Sequence, residues 1–215
     1  MNYGLELEYF VQDKQENIVP AYKITNNVDG DPVIGEIRTG VFDNIVDAVF
    51  DLKKRVYNEI AQLEAKNAVM VITPQISVSK EFLVNLRKDK KFTDTKLKGP
   101  LEEFSIYPKG ATGKLLPRQQ FKASLQINMS VNNIVKHSYT DEENRQQTFQ
   151  KTTSDVFDYY KIIQKLDECF KEAITKTLRV KGVYAMKPGT LGTRIEYRSL
   201  PNDINLYQLI DCLNK

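Results

Sequence analysis

The sequence predicts an α+β domain in which helices pack on one face of an antiparallel or mixed sheet. Three stretches, 3–11, 121–131 and 193–200, alternate apolar and polar residues, which is typical of half-buried strands. Two longer stretches, 45–63 and 156–178, repeat apolar residues every three or four positions, as amphipathic helices do. The elements lack the βαβ rhythm of a doubly wound fold, and no Walker A or Rossmann glycine pattern follows a strand. We therefore expect an open polar sheet face opposite the helices.

The N-terminal elements are predicted as two strands, a helix and a third strand. In YGLELEYFV, residues 3–11, leucine and tyrosine alternate with glycine and glutamate. A connection rich in turn residues leads to a short strand at 33–39. The helix at 45–63 has Asp43 as its expected N-cap, and a buried strand at 68–73 follows it.

The second half begins with a basic, turn-rich stretch from about 77 to 117, in which only a short strand at 103–107 is predicted. The remaining expected elements are a strand at 121–131, a polar loop at 137–151, a helix at 156–178 capped by Ser154 or Thr153, a strand at 193–200 and a C-terminal helix at 206–213.

Length and composition suit one globular domain spanning residues 1–215. The chain has 215 residues and 24.8 kDa, with 41% hydrophobic and 27% charged residues. Its longest apolar run, 68–72, is far shorter than the roughly 20 residues that span a bilayer, so we expect no membrane partner. The acidic N-terminus does not resemble a signal peptide, and Cys169 and Cys212 are expected to be buried free thiols. Both observations favour the cytoplasm.

Four predicted strands carry a polar stripe opposite an apolar one. Residues two apart in a strand project from the same side of the sheet. The stripes are Glu6 and Glu8; Glu36 and Arg38; Gln126, Asn128 and Ser130; and Arg194, Glu196 and Arg198. If the apolar stripes pack on the helices, the polar stripes collect on the other face.

The composition of these stripes points to a phosphate and metal chemistry. Carboxylates only two positions apart repel one another unless a cation neutralises them, so Glu6 and Glu8 suit a divalent ion such as Mg2+ or Mn2+. Arginines bind phosphate or carboxylate through paired hydrogen bonds. A polar sheet face is common in two-layer proteins, so it is the joint occurrence on four strands that favours a site.

Short motifs at both ends and in the middle resemble a known family. GLELEYF, GEIRT, the Gln-x-Asn-x-Ser strand and GTRIEYRSLP occur in the order seen in carboxylate-amine ligases of the glutamine-synthetase-like superfamily. The sequence is most similar to the amidoligase and phage-type COOH–NH2 ligase branch, which is related to glutamate-cysteine ligase. The resemblance implies a curved antiparallel sheet that forms an open funnel, and a phage-encoded protein in the host cytoplasm.

The same resemblance implies an ATP- and Mg2+-dependent enzyme that joins a small-molecule carboxylate to an amine through an acyl phosphate. It assigns metal binding to Glu6, Glu8, Glu36 and Glu196, catalysis to Arg198 and Glu36, and nucleotide or substrate contacts to Gln126, Asn128, Ser130, Arg38, Lys187, Arg194 and Arg198. Such catalysis is chiefly positioning and charge neutralisation.

One departure from the family keeps a second function open. Many members have a histidine in the strand where this chain has Gln126 and Asn128, and amides cannot exchange protons. A ligase-fold protein that binds a nucleotide or a partner protein without turnover is therefore an alternative. His137, the single histidine, is expected to be a surface residue.

A third possibility is nucleic-acid binding through residues 80–122. This segment has eleven Lys or Arg and five Asp or Glu, a local charge of +6 in a chain of net charge +3. Its aromatic residues are sparse, which favours a lid over ATP instead. The candidate lid residues are Lys96, Lys98, Lys109, Lys114 and Arg118. A homo-oligomer is also compatible with the sequence.

Overall fold

The computed structural model describes residues 1–28, 33–89, 103–105, 120–130, 135–140, 146–151, 156–177, 179–189 and 192–214. Only the backbone is described for residues 87, 103–105, 135–140, 146–151, 156–158, 186–189 and 192–193.

The described chain is built from strands and helices in mixed order. The strands are β1 Asn2–Asp13, β2 Ile18–Val19, β3 Gly35–Arg38, β4 Ala68–Val71, β5 Gln75–Ser77, β6 Glu103–Ser105, β7 Gln120–Lys122, β8 Ser124–Ser130, β9 Val135–Thr140, β10 Gln146–Lys151, β11 Val183–Gly189 and β12 Gly192–Pro201. The helices are α1 Ile45–Glu64, α2 Lys80–Lys88, α3 Val156–Cys169, α4 Lys171–Lys176 and α5 Leu206–Asn214, with a 3-10 turn at Ala21–Lys23.

The main sheet is organised around β1. Within the described residues it has eight strands in the order β2-β1-β8-β12-β11-β6, with β3 and β4 also paired to β1. Every pairing in it is antiparallel. The prediction of an α+β domain with a mostly antiparallel sheet is therefore confirmed.

One face of this sheet packs on helices through the apolar stripe of β1. Leu5, Leu7, Tyr9 and Val11 are buried in one cluster with apolar residues of α1, α3, α4 and α5 and of strands β8 and β12. Alternation with a period of two directs these four side chains to the same side. The intervening residues, including Glu6 and Glu8, project from the other side.

A smaller apolar cluster lies on the other side of β1. Phe10, which follows the parity of Glu6 and Glu8, is buried there with Val33, Ile34, Leu86 and Ala123. Leu86 belongs to α2, so this helix packs on the sheet face that the sequence predicted to be free of helices. The prediction that all helices pack on one face is therefore wrong for α2. The reason is that alternation places the large apolar side chain of Phe10 on the polar side of the sheet, where Leu86 covers it.

Several element boundaries differ from the sequence prediction. The expected polar loop at 137–151 is instead a hairpin of β9 and β10. The expected strand at 121–131 is interrupted at Ala123, whose N–H donates to the carbonyl of Pro74 rather than to a strand partner in the main sheet. The helix at 156–178 is divided at Phe170, which leaves helical geometry with φ −113° and ψ 21°.

The cap of α1 also differs from the prediction. Asn44, not Asp43, is the N-cap, and its side chain accepts a 2.9 Å hydrogen bond from the N–H of Asp47. Ser154 and Thr153, the expected caps of the next long helix, lie outside the described residues. Helix α2 lies in the basic stretch from about 77 to 117, for which the sequence predicted no helix. Its sequence does carry a capping signal, because the side chain of Ser79 accepts a hydrogen bond from the N–H of Phe82.

The ring of Tyr9 fixes the join between β1, β3 and α1. Its hydroxyl donates a 2.6 Å hydrogen bond to Oε1 of Glu59 on α1. Gly35 of β3 is paired with Tyr9, and a Cβ added at Gly35 would lie 2.3 Å from Cζ of the ring. Only glycine leaves room for the aromatic ring at this position.

We predict that Gly35→Ala lowers the free energy of unfolding by about 1–3 kcal/mol or more, because the Tyr9 ring must move and weaken its bond to Glu59. Urea denaturation followed by circular dichroism measures the effect. Gly4→Ala is the matched control, since the nearest atom to its added Cβ is 3.6 Å away, an ordinary contact. Equal stability of the two variants would contradict this account of β3 packing.

Candidate functional site: a carboxyl and guanidinium layer on the sheet

The strand register brings the predicted polar stripes together on four adjacent strands. Glu6 of β1 is paired with Arg38 on β3 and with Gln126 on β8. Asn128 of β8 is paired in turn with Glu196 on β12. Neighbouring strands lie about 4.8 Å apart. The stripes from β3, β1, β8 and β12 therefore form one continuous layer of side chains.

Glu6 is at the centre of this layer. It is 4% exposed, and its Oε1 accepts a 2.9 Å hydrogen bond from Nδ2 of Asn128. Two guanidinium groups approach it from the two flanks of β1: Nε of Arg38 lies 3.6 Å from Oε2, and Nη2 of Arg194 lies 3.7 Å from Oε1. One carboxylate thus links side chains from β3, β8 and β12.

Glu36 lies beside Glu6 and holds a proton. Its side chain is 9% exposed and receives a 2.5 Å contact from Nε of Arg38. Burial raises the pKa of Glu36 to about 8, assisted by a hydrogen bond and charge repulsion from Glu6, while Arg38 acts in the opposite direction. At neutral pH, Glu36 is therefore mainly in its protonated form beside Glu6.

Glu8 has a different environment from its neighbour Glu6. Its Oε2 accepts hydrogen bonds from the N–H and the hydroxyl of Ser124, at 2.7 and 2.6 Å, and its Oε1 accepts one from Nε2 of Gln126 at 2.8 Å. Burial raises the pKa of Glu8, and the two hydrogen bonds from Ser124 together with the charges of Arg179 and Arg198 oppose that rise. Both oxygens of Glu8 are thus engaged by the protein, and they hold β1 to the start of β8.

Glu196 and Arg198 form the part of the layer on β12. Nη1 of Arg198 donates a 2.7 Å hydrogen bond to Oε1 of Glu196, which is fully buried. The register between β12 and β8 shifts between Tyr197 and Leu200, so Arg198 lies at the start of a bulge. Bulges often redirect a side chain beside a functional site.

The layer is more buried than the open face expected from the sequence. Its carboxylates and amides are buried or nearly so, whereas the side chains of Arg38, Arg194 and Arg198 are 48%, 37% and 23% exposed. Buried carboxylates and amides need hydrogen-bond or ionic partners because water does not solvate them, and here those partners lie on neighbouring strands. Solvent therefore reaches the layer along the side chains of Arg38, Arg194 and Arg198.

The residues present suit a divalent cation only in part. Oδ1 of Asn128 is buried and accepts no hydrogen bond from the described residues. An amide oxygen flanked by carboxylates is a ligand for a hard cation. Among the described side chains no group of three His, Cys, Asp or Glu could hold a metal ion. Mg2+, however, commonly uses one or two carboxylates and completes its shell with phosphate oxygens and water.

For a Mg2+ ion held by only one or two carboxylates, the residues best placed are Glu6, Asn128 and Glu196. Glu36 becomes available as a further ligand once it loses its proton. Glu8 fits less well because its two oxygens already accept three hydrogen bonds. The metal-binding roles of the four glutamates stay predictions.

Other predicted site residues are placed less completely. Ser130 ends β8 and is half-buried opposite Asn2. Lys187 is paired with Arg194 along β11, but its side chain lies outside the described part of the structure. The candidate lid residues Lys96, Lys98, Lys109, Lys114 and Arg118 also lie outside the described residues, as do most of segment 80–122 and the side chain of His137.

Three residues that sequence reasoning did not place in the site contribute to it. Ser124 has the parity of the polar stripe, so the alternation in 121–131 could have identified it. Arg179 donates to the carbonyl of Ala123 and lies 3.4 Å from the carbonyl of Arg198, and Asn202 donates to the carbonyl of Glu8. No sequence period marks the last two, because they lie in connections after α4 and β12.

Comparison with known proteins adds no assignment. No protein-family model, curated protein or solved structure matches this chain. In the described residues, no helix is both long and apolar enough to cross a membrane.

We predict that the protein becomes less stable as the pH rises because of Glu36. Its folded pKa of about 8 is above the ordinary value of 4.5, so the stabilisation is complete below about pH 4.5 and is lost as the pH rises through about 8. Between about pH 5 and pH 9 the free energy of unfolding should fall by about 1–3 kcal/mol from this group.

Chemical denaturation at a series of pH values, in wild type and in Glu36→Gln, measures this contribution. Glutamine mimics the protonated acid, so the variant should show a shallower decline. Glu64→Gln, at an exposed position on α1, is the matched control. Parallel stability curves for Glu36→Gln and wild type would show that Glu36 does not carry the proton.

Proposed function

We propose that the protein is an ATP- and Mg2+-dependent carboxylate-amine ligase whose reaction takes place on the carboxyl and guanidinium layer. The observation that carries this proposal is the convergence on Glu6, which contacts Asn128, Arg38 and Arg194 from three other strands. The resemblance of the sequence motifs to the glutamine-synthetase-like ligases also supports it. In such a reaction the γ-phosphoryl group of ATP passes to a substrate carboxylate, and an amine then displaces phosphate to form an amide.

The arrangement of charges suits the binding of polyphosphate. A nucleotide triphosphate needs both cations and fixed positive groups, because its oxygens repel carboxylates. Arg38, Arg194 and Arg198 are the partly exposed members of the layer and would contact phosphate oxygens. When bound, Mg2+ would neutralise phosphate charge and separate it from Glu6 and Glu196.

Glu36 has the properties needed to move a proton during the reaction. An amine that attacks an acyl group must lose a proton, and a carboxyl group with a pKa of about 8 can accept or release one near neutral pH. Its neighbours Glu6 and Arg38 hold it in position, by a hydrogen bond and a 2.5 Å contact respectively.

A specific observation also favours the alternative of binding without turnover. Arg198 is hydrogen-bonded to Glu196, and Glu8 is fully engaged by Ser124 and Gln126. If these internal hydrogen bonds persist when a nucleotide binds, the layer would hold the nucleotide through its charges without catalysing a reaction. Substrate turnover distinguishes the two functions.

We predict that ATP binds only together with Mg2+ and that Glu6→Gln and Glu196→Gln weaken this binding by about tenfold or more, because each removes a carboxylate next to the ion. Isothermal titration of ATP with and without Mg2+ measures the affinities. Glu64→Gln serves as the control and should bind as wild type does. ATP affinity independent of Mg2+, or no affinity, would refute the ligase proposal.

We further predict that wild type releases ADP when ATP, Mg2+, amino acids and polyamines are supplied together, and that Glu36→Gln does so at least about a hundredfold more slowly, because glutamine cannot accept the proton of the amine. Coupled ADP detection and mass spectrometry of the product measure this. Tight Mg2+-dependent ATP binding without any product would select the binding-only alternative.

A further inference from the structure

A small polar cavity lies beside the carboxyl and guanidinium layer, between β3 and α1. Its volume is about 200 Å3, and its polar lining comes from Asn27, Arg38, Arg55, Asn58, Glu59 and Gln62. Sites for drug-sized ligands usually have about 300–1,000 Å3, so this cavity suits a smaller molecule. Arg38 belongs both to the cavity and to the layer, where its Nε contacts Glu36.

The guanidinium group of Arg55, on α1, supplies a positive charge at the cavity. The side chain of Arg55 is 48% exposed and is anchored through Nε, which lies 2.8 Å from Oδ2 of Asp51. Its two terminal nitrogens make no hydrogen bond to the residues that the structure describes. A guanidinium held in this way presents two parallel N–H donors, the geometry that binds a carboxylate.

Glu59 supplies a negative charge on the other side of the cavity. It is 2% exposed and is bonded only by neutral donors: the hydroxyls of Tyr9 and Thr25, at 2.6 and 2.7 Å, and the side-chain amide of Asn27. No cation among the described residues pairs with it. A buried carboxylate without a counter-charge attracts an ammonium group more strongly than an exposed one does, because the surroundings screen it less.

From this juxtaposition of Arg55 with Glu59, we infer that the cavity binds a small zwitterion, a free amino acid. The carboxylate of the ligand contacts Arg55, its ammonium group lies toward Glu59, and the amides of Asn58 and Gln62 accept or donate the remaining hydrogen bonds. As the subsite for an amino-acid substrate of the ligase, this assignment rests on the function proposed above. As a binding site it stands on the cavity alone.

Matched ligands test the assignment on the full-length protein in the absence of ATP and Mg2+. The three ligands are L-alanine, propionate and ethylamine, which have similar sizes. L-alanine carries both charges, propionate only the negative charge and ethylamine only the positive charge. Titration calorimetry should show L-alanine binding at least about tenfold more tightly than either of the others, since each lacks one charged contact. Equal affinity for propionate, binding of inorganic phosphate alone, or no binding of L-alanine would overturn the inference.

Two variants locate the binding in this cavity. Arg55→Met should weaken L-alanine binding by about tenfold, because it removes a carboxylate contact at an exposed position that tolerates substitution. Lys54→Met, which removes a neighbouring positive charge that does not line the cavity, should bind as wild type does. Glu59→Gln should abolish the preference for L-alanine over propionate; Arg55→Met remains informative if that variant does not fold. Unchanged affinity in Arg55→Met would overturn the inference.

The two proposals fail in different ways. Mg2+-dependent ATP binding without any amino-acid binding would leave the ligase proposal in place and overturn the cavity assignment. Binding of L-alanine that depends on Arg55, without any ATP binding, would establish the cavity as an amino-acid site and refute the ligase.

Discussion

The alternation of side chains along β1 determines which residues of the main sheet face the helices and which form the polar layer. Leu5, Leu7, Tyr9 and Val11 face the helices and build the main core. The residues between them are therefore placed on the opposite side, whether they are polar or not. A one-residue shift of this strand would exchange the two sets and bury carboxylates among apolar side chains. The register of β3 and β8 against β1 is thus fixed by the core, and the polar layer is positioned as a consequence.

Within the polar layer, the balance of charge is maintained by pairing across strands. The described layer contains four carboxyl groups, Glu6, Glu8, Glu36 and Glu196, and four guanidinium groups, Arg38, Arg179, Arg194 and Arg198. These charges are not evenly distributed, because Glu6 and Glu36 are adjacent. The proton on Glu36 removes the excess negative charge at that point. A divalent cation would supply the same neutralisation, so cation binding and the proton compete.

The sequence predicted those parts of the fold in which one face of an element is buried. The period of two in β1, β8 and β12 and the helical period of α1 exist because one side meets the core, and these elements were identified. The β9–β10 hairpin carries no apolar alternation, so 137–151 resembled a loop. The partners of Glu8 were also missed: pairing Ser124 and Gln126 with it depends on strand register and on the break at Ala123, which a linear sequence does not display.

Arg38 connects the polar layer to the cavity beside it. Its guanidinium lowers the pKa of Glu36 through charge and a hydrogen bond, against the larger effect of burial. A ligand in the cavity that drew the Arg38 guanidinium away from Glu36 would therefore raise the pKa of Glu36 further. Glu36 would then keep its proton more firmly and be a poorer cation ligand. Because coupling between two sites is reciprocal, a cation bound at Glu36 would in turn weaken the binding of such a ligand in the cavity.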